Sequence, residues 1–175
     1  FFQVNHAVAS ALLTAFMIDL VSLKAEAAID MYGGVGLFGL AAARQGVPLV
    51  LVVDSDPAAV AVAKQNAEWL RLTGVRAEAG TAERSLEKVL AAVKTRRALL
   101  VVDPPRAGLS KRVLETILKH RPGTMAYVSC APDTLTRDLK LLVAGGYIVR
   151  STRLFDMFPC TPYFESLTWL DRYGA

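Results

Sequence analysis

The stretch Ala28-Ile29-Asp30-Met31-Tyr32-Gly33-Gly34-Val35-Gly36-Leu37-Phe38-Gly39 decides the fold. Its first half, Ala28–Tyr32, is a short apolar run with one acidic residue and reads as a strand. Its second half is rich in glycine and leads into an apolar-rich helix over Leu37–Arg44. Glycines at a strand-to-helix turn let the backbone pass close beneath a ligand and open a helix whose N-terminus faces it. Gly34-x-Gly36-x-x-Gly39 has the spacing of a dinucleotide-binding loop. Asp54, at the end of the next apolar run, stands roughly 20 residues on, where a carboxylate accepts hydrogen bonds from ribose hydroxyls. The loop alone leaves NAD and other adenosyl cofactors open.

Working outward, short apolar runs alternate with helical stretches. Strands are expected at Ala28–Tyr32, Leu49–Asp54, Val75–Ala79, Leu99–Asp103 and Met125–Ser129. Helices are expected between them, near Leu37–Arg44, Ala58–Leu72, Glu83–Lys94 and Lys111–Lys119, with another at Asp133–Val143. Continuous apolar strands separated by helices predict a doubly wound, mostly parallel α/β sheet covered on both faces. The ending differs: Tyr147–Phe155 and Phe164–Asp171 are strands joined by a proline-containing loop without a helix, which predicts an antiparallel C-terminal pair. That layout is the Rossmann-like fold of class I methyltransferases. Together with Asp30, placed like the acidic start of that fold's first motif, it favours S-adenosylmethionine over NAD.

Composition narrows the classes. The 175 residues are 53% hydrophobic and 21% charged, with a net charge of +4. This excludes a disordered chain and fits one domain that needs no disulfide or metal staple. The two cysteines, Cys130 and Cys160, form no four-thiolate site and no secreted disulfide framework, so a reducing, cytoplasmic setting is expected. His6 and His120 lack ligand spacing, and no metal is expected. Phe1 to Ile18 carries no Asp, Glu, Lys or Arg. Gln3, Asn5, His6, Ser10 and Thr14 interrupt it and no cationic segment precedes it, so a buried amphipathic helix over about Asn5–Leu23 is expected rather than a signal peptide or membrane span.

Ligands of an open α/β sheet sit beyond the carboxyl ends of its strands. The fourth strand ends in Asp103-Pro104-Pro105-Arg106-Ala107-Gly108, so Asp103 points at the same crevice as Gly34 and Asp54. The prolines stiffen the loop, and Arg106 suits a phosphate or a base edge. The fifth strand ends in Ser129-Cys130-Ala131-Pro132-Asp133-Thr134. Pro132 suits a first helical position, which puts Cys130 just ahead of a helix N-terminus, where the dipole favours a thiolate.

These residues carry a resemblance. Phe1-Phe2-Gln3-Val4-Asn5, the Asp30–Gly36 loop, DPPRAG at 103–108, YVSC at 127–130, Thr134, and DMFP at 156–159 with Thr161 and Glu165 occur in the order found in RNA uracil-5-methyltransferases. The chain resembles the catalytic domain of that family, which makes 5-methyluridine in tRNA and ribosomal RNA. The resemblance implies that Gln3, Tyr32, Asp54 and Asp103, with the glycine loop at Gly34 and Gly36, contact S-adenosylmethionine. It also implies that Asp103 contacts the target base, that Cys130 is the nucleophile and that Glu165 is the general base. RNA is the implied partner.

Departures from the family pattern are Ala131 where Asn is usual after the nucleophile, Tyr163 where His is usual, Cys160 where His or Gln is common, and Leu37 where some members have Asn. Ala is a poor N-cap, and loss of an Asn cap costs about 1 kcal/mol. A catalytically impaired RNA-binding paralogue, suggested by Ala131 and Tyr163, and an NAD-dependent oxidoreductase using the same glycine loop are the competing readings. Family members carry an N-terminal RNA-binding domain. Because this sequence begins at Phe1, within a family motif, that domain is expected to lie outside it.

Overall fold

The computed structural model describes residues 5–93, 95, 97–157, 159–161 and 164–174. Gln3 and Tyr163 lie outside the described residues.

Seven strands form one sheet: β1 (Ala27–Met31), β2 (Leu49–Asp54), β3 (Val75–Ala79), β4 (Ala98–Val102), β5 (Thr124–Ser129), β6 (Tyr147–Phe155) and β7 (Glu165–Arg172). Their order is β3-β2-β1-β4-β5-β7-β6, with β7 antiparallel to both β5 and β6 and the other pairs parallel. The expected layout of a mostly parallel sheet with an antiparallel C-terminal pair is what the chain adopts.

Side chains alternate between the two faces of each strand, and each face has its own helical layer. On one face Ala28, Val52, Val101, Val128, Leu167 and Trp169 pack against α1 (His6–Val21), α2 (Leu37–Arg44) and α3 (Pro57–Trp69). On the other, Ile29, Leu100, Met125 and Tyr127 pack against α4 (Ala82–Ala92), α5 (Lys111–His120) and α6 (Pro132–Ala144). β1 and β4 are buried along their whole length, which is why they read as unbroken apolar runs. The edge strand β3 is exposed at Arg76, Glu78 and Ala79, and there the sequence alternates.

Local signals place the helix starts. Asn5 accepts from the Val8 amide at 3.3 Å, Asp56 from Ala58 at 2.8 Å, and Ser110 from Val113 at 3.4 Å, each as an N-cap side chain. Three sequence expectations need correction. β1 ends at Met31 and β4 at Val102, so Tyr32 (φ 60°) and Asp103 stand just beyond the strands rather than inside them. α3 stops at Trp69, because Arg71 turns into the left-handed region (φ 56°). The first helix is not amphipathic: Leu12, Phe16 and Leu20 are buried, yet Ile18 and Val21 are exposed. No helix among the described residues is long and apolar enough to cross a membrane.

α1 is fastened through Phe16, which is fully buried, stacks on Trp169 at 5.5 Å between ring centroids and meets Phe38 edge-on at 5.1 Å. Phe16→Ala is expected to lower the unfolding free energy by about 3–5 kcal/mol. Urea denaturation reads this as a lower midpoint at unchanged slope; a loss below about 1 kcal/mol would mean that α1 contributes little to the core.

Candidate active site

Four loops meet at the carboxyl ends of β1, β2, β4 and β5. In the first, the Gly33 amide donates to the Val53 carbonyl at 3.0 Å and Gly36 to Gly33 at 2.8 Å. Gly34 adopts φ +53°, and a Cβ there would meet nothing within 4 Å, so the loop presents bare backbone to open space. Asp54 holds it from the next strand: Oδ2 accepts from the Gly34 amide at 2.8 Å and Oδ1 from Asp56 at 2.9 Å. The residue read as a ribose acceptor is thus also the tie between the two loops.

Asp30 lies beneath, with no exposure. Its Oδ2 accepts from the Gly39 amide at 2.7 Å, and its Oδ1 has no partner. A Cβ on Gly39 would stand 2.7 Å from Val52 and 3.1 Å from that carboxylate, so only glycine allows the approach. Burial pushes the Asp30 carboxyl up to about 7, against the pull of the Gly39 hydrogen bond and with a further push from Asp54.

The loop after β4 begins at Asp103, whose amide donates to the Met31 carbonyl at 3.3 Å. Burial holds its carboxyl well above the usual range, and the charges of Glu165, Asp30 and Asp54 add to this. Four carboxyl groups therefore share one neighbourhood. Further along, the Arg106 side chain is exposed and its carbonyl accepts from the Thr134 hydroxyl at 3.0 Å.

Cys130 is partly buried between β5 and α6. Ser129 pairs with Ser166 across the antiparallel ladder, and the Ser166 hydroxyl donates to the Ser129 carbonyl at 3.1 Å across 37 residues of sequence. Cys130 follows Ser129 and Glu165 precedes Ser166, so both lie at this end of the ladder. Glu165 is 2% exposed, and burial raises its carboxyl to about 7. The pull expected of the helix N-terminus on the Cys130 thiol is outweighed. Burial pushes the thiol up, and the charges of Glu165 and Asp103 push it further, outweighing Arg106 and the backbone hydrogen bond that pull it down. Ala131 is the N-cap of α6 and makes no side-chain cap, as read from the sequence.

The structure thus brings together Gly34, Gly36, Asp54, Asp103, Arg106, Cys130 and Glu165, with Tyr32 on the adjoining turn. Sequence reasoning missed Asp138, a fully buried carboxylate on α6 that accepts from the Leu109 amide and the Tyr127 hydroxyl, both at 2.8 Å. Its signal was a charge at the centre of the stripe Leu135, Asp138, Leu142 that α6 buries. Among the described residues, no group of three or more His, Cys, Asp or Glu is arranged to hold a metal ion.

The raised Asp30 carboxyl makes stability depend on pH. Its folded value of about 7 lies above that of an ordinary aspartate, so its contribution is complete below about 4 and is lost as pH rises through about 7. Urea midpoints are expected to fall between pH 5 and pH 8, and to fall less in Asp30→Asn. An undiminished fall in that variant would assign the titration to other groups.

Comparison with known proteins agrees with this architecture. The family model described as tRNA (uracil-5-)-methyltransferase matches residues 1–173. An uncharacterized RNA methyltransferase of Listeria monocytogenes is 39% identical over 175 residues, covering 97% of this chain and 37% of the relative. One of Streptomyces avermitilis is 39% identical over 173 residues, covering 98% and 39%. The chain thus spans well under half the length of these relatives. Among solved structures, the tRNA (uracil-54, C5)-methyltransferase of Pyrococcus abyssi in complex with S-adenosyl-L-homocysteine superposes with a TM-score of 0.80 at 32% identity, over 97% of this chain and 40% of that one. With the motifs in family order and the sheet of class I methyltransferases, the chain belongs to the tRNA (uracil-5-)-methyltransferase family.

Proposed function

We propose that this chain is the chemical module of an S-adenosylmethionine-dependent enzyme that methylates carbon 5 of a uridine in tRNA or ribosomal RNA through a covalent bond to Cys130. The observation that carries the proposal is that Cys130 and Glu165 flank the terminal Ser129–Ser166 pair of β5 and β7, where the charges of Glu165 and Asp103 act on the thiol.

The cofactor fits the residues present. The open backbone at Gly34 admits an adenosyl group, and Asp54 at the end of β2 keeps lone pairs for ribose hydroxyls. The crowded carboxyls of Asp103, Asp54, Asp30 and Glu165 suit a neighbouring sulfonium, whose positive charge relieves their mutual repulsion. Tyr32 flanks the loop, and Gln3 is assigned to the same contact. S-adenosylmethionine supplies an electrophilic methyl group.

Carbon 5 of uracil is a poor nucleophile. The Cys130 thiolate adds to carbon 6, forming a carbon–sulfur bond and moving the ring π electrons to carbon 5 as an enolate. Carbon 5 takes the methyl group, and S-adenosylhomocysteine leaves. The Glu165 carboxylate then removes the carbon 5 proton, the ring double bond re-forms, and the thiolate is expelled. Arg106 at the crevice mouth meets the RNA by a phosphate or base edge, and Asp103 orients the target base. Because Cys130 must stay reduced, a cytoplasmic setting suits this chemistry.

Both working groups act ionised. Glu165 titrates at about 7 and Cys130 above its ordinary value, so the rate is expected to climb through about pH 7 and to keep climbing on the alkaline side.

The decisive test uses the full-length protein and RNA containing 5-fluorouridine. Fluorine does not leave as a proton does, so the enzyme is expected to be trapped on RNA through Cys130. Normal methylation by Cys130→Ala would defeat the covalent mechanism. Glu165→Gln is expected to accumulate an RNA–protein adduct with ordinary uridine, and free turnover would remove Glu165 from its role. The uncapped Ala131 beside a thiol of raised pKa favours, as second reading, an RNA-binding paralogue without activity; any 5-methyluridine product excludes it.

A further inference from the structure

The sheet is covered unevenly on its α4 side. Along β2, Val50 and Val52 are buried against the layer of α1, α2 and α3. By alternation Leu49, Leu51 and Val53 face the other layer. Val53 is buried there, Leu51 is half-buried, and Leu49 is 66% exposed. Beyond β2, Arg76 and Glu78 of β3 are exposed as well. The result is a groove of about 990 Å³. Ile29, Leu49 and Leu51 line it from the sheet, Lys88 from α4, and Arg76 and Glu78 from the edge strand. It lies toward the amino ends of β1 and β2, away from the loops at the carboxyl ends.

Composition and dimensions say what would fill it. Leu49–Val53 is an unbroken apolar run. That is the pattern of a strand covered on both faces, and the fully buried β4 shows it too. β3 alternates instead, with charges on the open side. β2 is therefore composed for a cover that residues 1–175 do not supply. The open strip is two strands wide, about 10 Å at ~4.8 Å per strand. One α-helix has that diameter. The rim is charged, and no ion pair among the described residues uses Arg76, Glu78 or Lys88.

We infer that an amphipathic helix from the part of the full-length protein outside residues 1–175 lies in this groove. Its apolar stripe covers Leu49 and Leu51, and its carboxylates stand beside Lys88 and Arg76. Relatives have chain to provide it, since this sequence covers only 37% and 39% of two of them and 40% of the Pyrococcus abyssi enzyme. The size of the groove also favours a tethered occupant. The strip over β2 is about 20 Å by 10 Å in plan. A stable interface between separate molecules takes about 800 Å² from each partner. A segment of the same protein escapes that requirement, because linkage replaces the cost of association with a high effective concentration. A second copy of this chain offers a poor match. Its apolar helix face at Ile18 and Val21 of α1 has one acid, Asp19, which Arg153 already holds at 2.9 Å. The inference does not depend on the role proposed for Cys130.

The test places a photoreactive side chain in the groove of the full-length protein, as Leu49→p-benzoylphenylalanine. After irradiation and digestion, peptide mass is expected to show the Leu49 peptide joined to a peptide from outside residues 1–175, within one molecule. Joining to a second copy, seen as a dimer band, overturns the proposal. So does joining to added RNA, joining only within residues 1–175, or no joining at all.

The bulky probe can itself displace the helix or prevent folding, so a smaller variant serves as a second measurement. In full-length Leu49→Cys, maleimide labelling at position 49, followed by peptide mass, is expected to be about tenfold or more slower than in urea. That protection is expected to survive about hundredfold dilution of the protein, because a tethered segment is not lost by mass action. Labelling at the urea rate, or protection that fades on dilution, overturns the proposal. Neither measurement uses RNA methylation, so failure of the reaction proposed above is distinguishable from failure of this inference.

Discussion

The antiparallel ladder that β7 makes between β5 and β6 is the constraint on which the site depends. β5 runs outward to Ser129, and β7 begins at Glu165 and returns through the middle of the C-terminal half of the sheet. A side-chain period of two makes this register strict, because a slip of one residue would turn every side chain of β7 to the opposite face. Leu167 and Trp169 would leave the α1 layer, Leu170 would leave the α6 layer, and Glu165 would leave the crevice. Burial of the whole run from Glu165 to Leu170 is what enforces the pairing. The hydrophobic core therefore sets the geometry of this end of the sheet: the same packing that buries Trp169 places Glu165 beside the Ser129–Ser166 pair that Cys130 follows.

Electrostatics supplies the second constraint. Asp30, Asp103 and Glu165 all titrate above their ordinary range, chiefly because they are buried and, for Asp30 and Asp103, also because other acids lie near. A cluster of carboxyl groups of this kind is unfavourable toward anions and favourable toward a cation. Protonated carboxyls also serve as hydrogen-bond donors. The thiol belongs to the same field. In these surroundings burial and the charges of Glu165 and Asp103 push its pKa up, and Arg106 pulls the other way.

Much of this was legible without coordinates. The glycine run after Asp30, the apolar strands and the proline-stiffened DPPRAG loop are local patterns, and local patterns set strand-to-helix turns directly. The departures have physical causes. Tyr32 and Asp103 belong to the turns and not to the strands, because the ladder between β1 and β4 ends at the Met31–Val102 pair. α1 reads as amphipathic only if one face is assumed to be polar, whereas Ile18 and Val21 remain on its outer side. At Cys130 the helix N-terminus is visible in the sequence, while the burial and the two carboxyl groups that outweigh it are not.

The sequence by itself determined the α/β alternation, the glycine turn between β1 and α2, and the candidate residues at the strand ends, since each is written in residues close together along the chain. Only the tertiary structure decided which of those groups meet. Ser129 and Ser166 touch across 37 residues, and Leu109 and Asp138 across 29, because strand order and helix packing are settled by the burial of two apolar faces at once. No local pattern encodes that condition, and it is this condition that turns separate motifs into one site.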